Sequence, residues 1–223
     1  MKSLNIVKCS AVVIAALVLT TSTSKAFTLV WSASGFDVAT GLTLSDQTTG
    51  LSIGSLVAVG NFGSMTDLDI AALGPNPSSV WANFQPWATG AIGDGTFAEG
   101  SFTISSIAPG SGYFSEQIYL VAFNSSSAGT ATQVGVFKGP SSSPSFGDSW
   151  TFPPDDLSAK SIVTDALNAS HVIIGSYGVE TYNNVDWWGE NVNALALAAI
   201  PEPSTYALVG AAVLGLLAVR RRK

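Results

Sequence analysis

Three groups of residues in this chain have types and spacings that suit chemistry. Gly50-Leu51-Ser52-Ile53-Gly54 matches the Gly-x-Ser-x-Gly pattern of a nucleophile elbow, and Asp165 and His171 follow in hydrolase order. An elbow needs a buried strand before the serine and a helix after it. Here polar residues 45–49 precede it and a strand-like run follows, so a turn between strands accounts better for both glycines. Carboxylates form the second group. Asp67 with Asp69, and Asp155 with Asp156, could offer oxygen ligands to calcium. Neither pair has the spaced acids, glycine and closing glutamate of an EF-hand, so helix capping or solvation is the expected role and no cofactor is assigned. The third group is Asn183, Asn184, Asp186, Trp187, Trp188 and Glu190. Flat indoles stack on sugar rings while amides and carboxylates take hydroxyl hydrogen bonds, which makes a glycan contact chemically sensible. In a strand, however, one of two adjacent tryptophans faces the core and the other covers an edge, and that packing role is preferred. Trp31, Trp81, Trp87 and Trp150 read as core or loop anchors for the same reason.

Other chemistry is narrowed by scarcity. The chain has one histidine, which cannot supply a multi-histidine metal site and is expected at a strand start, partly exposed. Gly93-Asp94-Gly95 with Ala98 imitates a dinucleotide fingerprint without βαβ surroundings, and reads as a hairpin or loop. No catalytic set emerges, and the expectation is a non-enzymatic protein.

The two ends speak more clearly. Lys2 and Lys8, the apolar run 11–19 and Ser24-Lys25-Ala26 have the order of a secretory signal peptide, with small residues at the minus-three and minus-one positions. Cleavage by the secretion machinery is expected between Ala26 and Phe27. Cys9, the single cysteine, would leave with that segment, which removes disulfide and thiol chemistry from the mature domain. At the other end, Pro201-Glu202-Pro203-Ser204 leads into fifteen residues, 205–219, without charge, and then Arg220, Arg221, Arg222 and Lys223. The prolines hold an extended peptide of the shape a protease cleft accepts. The apolar stretch spans roughly 22 Å as a helix, a little short of the ~30 Å hydrocarbon core, and the basic anchor belongs on the cytoplasmic side. Ala207, Ala211 and Gly215, four apart, give that helix a small-residue face.

This tripartite tail resembles the PEP-CTERM sorting signal, in order and in placement. The resemblance implies a Gram-negative-type bacterium and recognition of Pro201, Glu202, Pro203 and Ser204 by an exosortase, a membrane-embedded cysteine protease–transpeptidase that processes its substrates near that motif. It further implies association with exopolysaccharide and biofilm matrix. The likeness is confined to about the last two dozen residues, so it brings no activity to the rest.

Between the signals lie about 175 residues, enough for one domain with a real core. Only Lys138 and Lys160 remain there against fourteen acids, a formal charge of −12, the fifteenth acid being Glu202 of the tail. Such a surface repels phosphate backbones and excludes nucleic acid as a partner. The segment reads as short strands, 27–34, 55–61, 96–105, 116–123, 131–137, 149–152, 171–177 and 191–198, separated by Gly-, Pro- and Ser-rich turns. Several alternate apolar with polar residues, the pattern of sheets with one buried face. Short helices are expected at 67–73, capped by Ser64 or Thr66, and near 80–84, capped by Ser78 or Ser79; residues 156–167 suggest another turn or two. The expected organisation is a signal peptide (1–26), an all-β antiparallel sandwich or jelly-roll-like domain (27–199), and a sorting segment (200–223) with a single transmembrane helix.

Overall fold

A computed structural model describes residues 27–30, 40–93, 100, 102–106, 110–142, 149–155, 161–162, 167–180 and 192–201. Among these the fold is all-β with two short helices. Its strands are β1 (Phe27–Val30), β2 (Thr40–Thr43), β3 (Leu56–Asn61), β4 (Gln85–Ala91), β5 (Thr103–Ser106), β6 (Tyr119–Phe123), β7 (Gln133–Lys138), β8 (Ser161–Ile162), β9 (Val172–Ile174), β10 (Ser176–Glu180), β11 (Val192–Ala196) and β12 (Ala198–Ala199). The helices α1 (Asp67–Ala72) and α2 (Pro77–Asn83) fall between β3 and β4.

The central sheet runs β12-β7-β6-β3-β4, with β9 pairing further along β7, and all its pairings are antiparallel. Every residue of β6, Tyr-Leu-Val-Ala-Phe, is buried. The one-face expectation therefore fails at the centre, because different layers cover the two faces. On one side Leu120 and Ala122 pack with Val57, Val59 and Phe137 against Leu42 of β2, Ile104 of β5 and Leu195 of β11. On the other, Tyr119, Val121 and Phe123 join Ala58, Val134 and Val136 under Ile70 of α1 and Val80 of α2. A strand apolar on both faces reads as a continuous hydrophobic run and loses its alternation.

Two flanking sheets depart from a purely antiparallel arrangement. β1 lies between β5 (antiparallel) and β8 (parallel), and β11 lies between β10 (antiparallel) and β2 (parallel). The β2–β11 ladder joins Thr40–Thr43 to residues 193–196, bringing the two ends of the domain side by side. Local patterning carries no information about such a distant partner.

Both helices are set by their caps. Thr66 begins α1 with a capping box: its hydroxyl accepts from the Asp69 amide at 3.3 Å, and Asp69 Oδ2 accepts from the Thr66 amide at 2.9 Å. The Thr66 hydroxyl also donates to Asp69 Oδ2 at 2.7 Å, and this bond, then the one from the Thr66 amide, holds the exposed Asp69 carboxyl below its ordinary range. α2 starts earlier than expected. Asn76, not Ser78 or Ser79, is its cap, accepting from the Ser79 amide, and Pro77 occupies the first helical position, where its missing N–H costs nothing. β4 escaped the sequence reading because Pro86 argues against a strand. The structure tolerates it at the sheet edge, beside a register shift at Val59/Gly60.

Other boundaries also shift. The 149–152 run makes only an isolated bridge, Gln117 with Thr151, because its backbone alternates between Glu116, Ile118 and Pro140. Of 96–105 the described end, from Thr103, is strand, and residues 94–99 and 101 lie outside the described residues. In 156–167 a helical turn was expected, yet Ser161–Ile162 extends and pairs with β1. Segments 1–26 and 202–223, including the expected transmembrane helix, lie outside the described residues; among the described residues no helix is long and apolar enough to cross a membrane.

Trp150 is fully buried, and its ring lies where a side chain on Gly139 would have to go. Adding a methyl there forces the indole or the end of β7 to move. Gly139→Ala is expected to cost about 1–3 kcal/mol by overpacking. Gly110→Ala, with open space around its Cβ, should stay within about 0.5 kcal/mol of wild type. Urea unfolding of the two variants measures the contrast.

Candidate functional site

The described chain ends where the tail begins, and the geometry there is simple. β12 lies antiparallel along the first half of β7, Ala198 opposite Val134 and Ala199 opposite Gln133. The Ile200 amide donates to the Thr132 carbonyl at 3.0 Å. Pro201 has no N–H to offer, so the ladder stops at Ile200 and Pro201 stands exposed. Just upstream, Leu197 is buried in the core and its amide donates to the Thr43 carbonyl at 3.0 Å. The chain is thus anchored firmly at 197, by pairing and partial packing of Ala198 against the core at 198, and only by backbone pairing at 199 and 200.

The receiving edge is held by the β6–β7 hairpin. Asn124 Oδ1 accepts from the Thr132 and Gln133 amides at 2.9 and 3.0 Å, and its amide nitrogen donates to the Thr132 hydroxyl. Ser125, Ser127 and Thr130 share hydroxyl hydrogen bonds across the turn. Gln133 Oε1 accepts from the Ser45 amide at 2.8 Å, tying this edge to the loop after β2. Nothing in the composition of Thr132–Val134 singled them out; their role follows from pairing with residues that lie 64 to 68 positions further along the chain.

The sorting residues Glu202, Pro203, Ser204, Arg220, Arg221, Arg222 and Lys223 lie outside the described residues, as do Ser24 and Ala26 of the signal segment. Phe27 opens β1, opposite Ser106. Asn183, Asn184, Asp186, Trp187, Trp188 and Glu190 also lie outside; they belong to the connection between β10 and β11, whose ends pair at Glu180 and Val192.

The remaining candidates are occupied by structural work. Gly50 bridges Thr43, Leu51 is buried, Gly54 takes a positive φ of 88°, and the strand β3 follows, so the Gly-x-Ser-x-Gly segment is a turn. Asp165 lies outside the described residues. Asp67 accepts from the Tyr119 hydroxyl at 3.0 Å and from Lys138 Nζ at 2.7 Å, pinning the start of α1 to the central sheet. Burial, then the hydrogen bond and charge of Asp67, push the Tyr119 phenol far above its usual range. Asp155 is engaged elsewhere, and Asp156 lies outside the described residues. No cluster of three metal-ligating side chains occurs among the described residues. Trp150 is a core residue, while Trp81 and Trp87 pack partly buried against the two clusters; Trp31 lies outside.

The comparisons bear on the tail alone. The family described as the PEP-CTERM protein-sorting motif matches residues 199–223. This chain carries a PEP-CTERM sorting motif. It is the signal of exported proteins handled by exosortase, and its match begins at Ala199, inside β12. A search of curated proteins found no match to the chain, and a search of solved structures found none.

One titratable group within the fold makes a pH prediction. His171 ends a 3-10 turn before β9, and its Nδ1 accepts from the Asn168 amide at 3.0 Å, which requires an unprotonated nitrogen. Burial, and then the Lys138 charge, lower its pKa. The unfolded chain therefore takes up this proton more readily than the folded one. Stability from His171 is complete above about pH 6.5 and falls as the pH drops below it. The melting temperature should decline from pH 7.5 to 5, and His171→Gln should flatten that decline.

Proposed function

We propose that this is an exported, non-enzymatic protein of the cell envelope or exopolysaccharide matrix, delivered by its C-terminal motif in a Gram-negative-type bacterium. The observation that carries the reading is the motif match at 199–223, which begins on the last strand of the domain and leaves Pro201 exposed. In this reading the secretion machinery removes residues 1–26, and Phe27 begins both the mature chain and its first strand. Residues 205–219 then hold the protein transiently in the inner membrane with Arg220–Lys223 on the cytoplasmic side. Exosortase engages Pro201-Glu202-Pro203 and cuts nearby, passing the domain to the cell surface or the matrix. The buried core, the capped helices and the neutral hydroxyl-rich hairpin suit a durable payload.

A second reading rests on the composition of residues 183–190. A connection bearing two indoles, two asparagines and two carboxylates between paired strands suits a polysaccharide ligand. In that case the Trp187→Ala/Trp188→Ala double variant loses retention on matrix polysaccharide that wild type shows. Equal retention of the two proteins removes the reading.

The sorting role is tested by replacing Pro201, Glu202 and Pro203 with alanine. The variant should accumulate uncut in the membrane fraction, while wild type loses its tail. Tail removal at the wild-type rate would contradict recognition of these residues.

A further inference from the structure

The sorting segment and the folded domain share residues. The family match starts at Ala199, yet Ala199 is paired with Gln133, and Ile200 donates its amide to Thr132. With these pairings intact, only four residues, 201–204, separate the sheet from the apolar stretch, a span of about 13 Å when extended. An enzyme that takes its substrate as an extended strand pairs with backbone groups and reads alternate side chains. Cleavage near Pro203 needs residues on both sides of the scissile bond, and those on the amino side are held against β7.

The pairing is built to give way. Ala198 is partly buried and Ala199 is exposed, and both side chains are small, so release uncovers little apolar surface. Ile200 is 41% exposed. The next residue back, Leu197, is fully anchored by its buried side chain and by Thr43. Peeling therefore stops at 197 and frees three residues, lengthening the available peptide from four residues to seven, or by about 10 Å.

We propose that β12 is a releasable clamp on the sorting segment, and that it must leave the edge of β7 before the processing enzyme can cut. The proposal rests on the reading of 199–223 as an exosortase substrate, and adds to it a positioning role for Gln133, Val134 and Thr132. Processing then proceeds through a state in which Ala198–Ile200 is undocked while the core remains folded. The rate depends on the strength of a two-residue strand as well as on the motif itself.

A disulfide tests this directly. The Ile200–Thr132 amide bond marks that pair as hydrogen-bonded, so its neighbour Ala199–Gln133 is a non-hydrogen-bonded pair, with Cα atoms about 4.5 Å apart, within reach of a disulfide. The double variant Gln133→Cys/Ala199→Cys would carry the only thiols of the mature domain, since Cys9 lies in the signal segment. The full chain is expressed with its exosortase, and tail removal is followed by intact mass with and without reductant. The oxidised double variant should be processed about tenfold more slowly or worse than its own reduced form, as for a gated step. A six-residue Gly-Ser spacer between Ile200 and Pro201, adding about 20 Å, should restore cutting of the locked form. Processing of the locked protein at the wild-type rate overturns the clamp, because the enzyme then works on a docked strand. Failure of the spacer to rescue overturns it too, because the block would not come from reach. Absence of cutting in wild type itself overturns the sorting reading along with the clamp.

Discussion

Burial of the central sheet on both faces is the constraint from which the rest of this structure follows. Val57, Val59, Leu120 and Ala122 face one apolar layer, while Ala58, Val121 and Phe123 face another. Each layer has to be supplied by something, and the chain supplies them differently. Two short helices inserted between β3 and β4 cover one side, and strands from the beginning and end of the domain cover the other. At roughly 25 cal/mol per Å² of apolar surface, removing either layer would forfeit far more than the few kcal/mol by which domains are stable. The parallel pairing of β2 with β11 is a consequence: a layer drawn from both chain ends closes by joining them.

That closure places the sorting tail. β11 runs through Leu195 and Leu197 into the core, and the chain leaves over the N-terminal half of β7, where a free edge remains beyond β9. β12 fills that edge with two alanines and ends at a proline. An unpaired strand edge invites association with other chains, and a short strand followed by proline is one way to blunt it. The same residues begin the sorting motif, so edge protection and export are coupled through one stretch of backbone.

The sequence made some of this legible and hid the rest for identifiable reasons. Local signals survived: the early aspartates behind Ser64 or Thr66 marked the start of α1, where the structure selects Thr66, Gly74-Pro75 marked its end, and the Tyr-Leu-Val-Ala-Phe run marked β6. The tail was legible because proline, apolar and cationic residues are contiguous there and each acts alone on a protease or a bilayer. What required a partner was not. Pro86 concealed β4 because its tolerance depends on lying at an edge, and Asn76 lost the capping role to the serines because Pro77 looked like a breaker. The pairings of Thr40–Thr43 with β11 and of Ser161–Ile162 with β1 span distances that no periodicity records. Lys138 stood out as a rare cation in an acidic segment, but only the fold shows that it binds Asp67.

In the proposed reading both ends are transport signals around a folded domain that works outside the inner membrane. Intact mass of the native protein, recovered from cell-surface and matrix fractions, tests it most directly. The account predicts a chain beginning at Phe27 and lacking the apolar segment 205–219 with its basic end. Recovery of an unbroken Met1–Lys223 chain from the cytosol as the main product would contradict it.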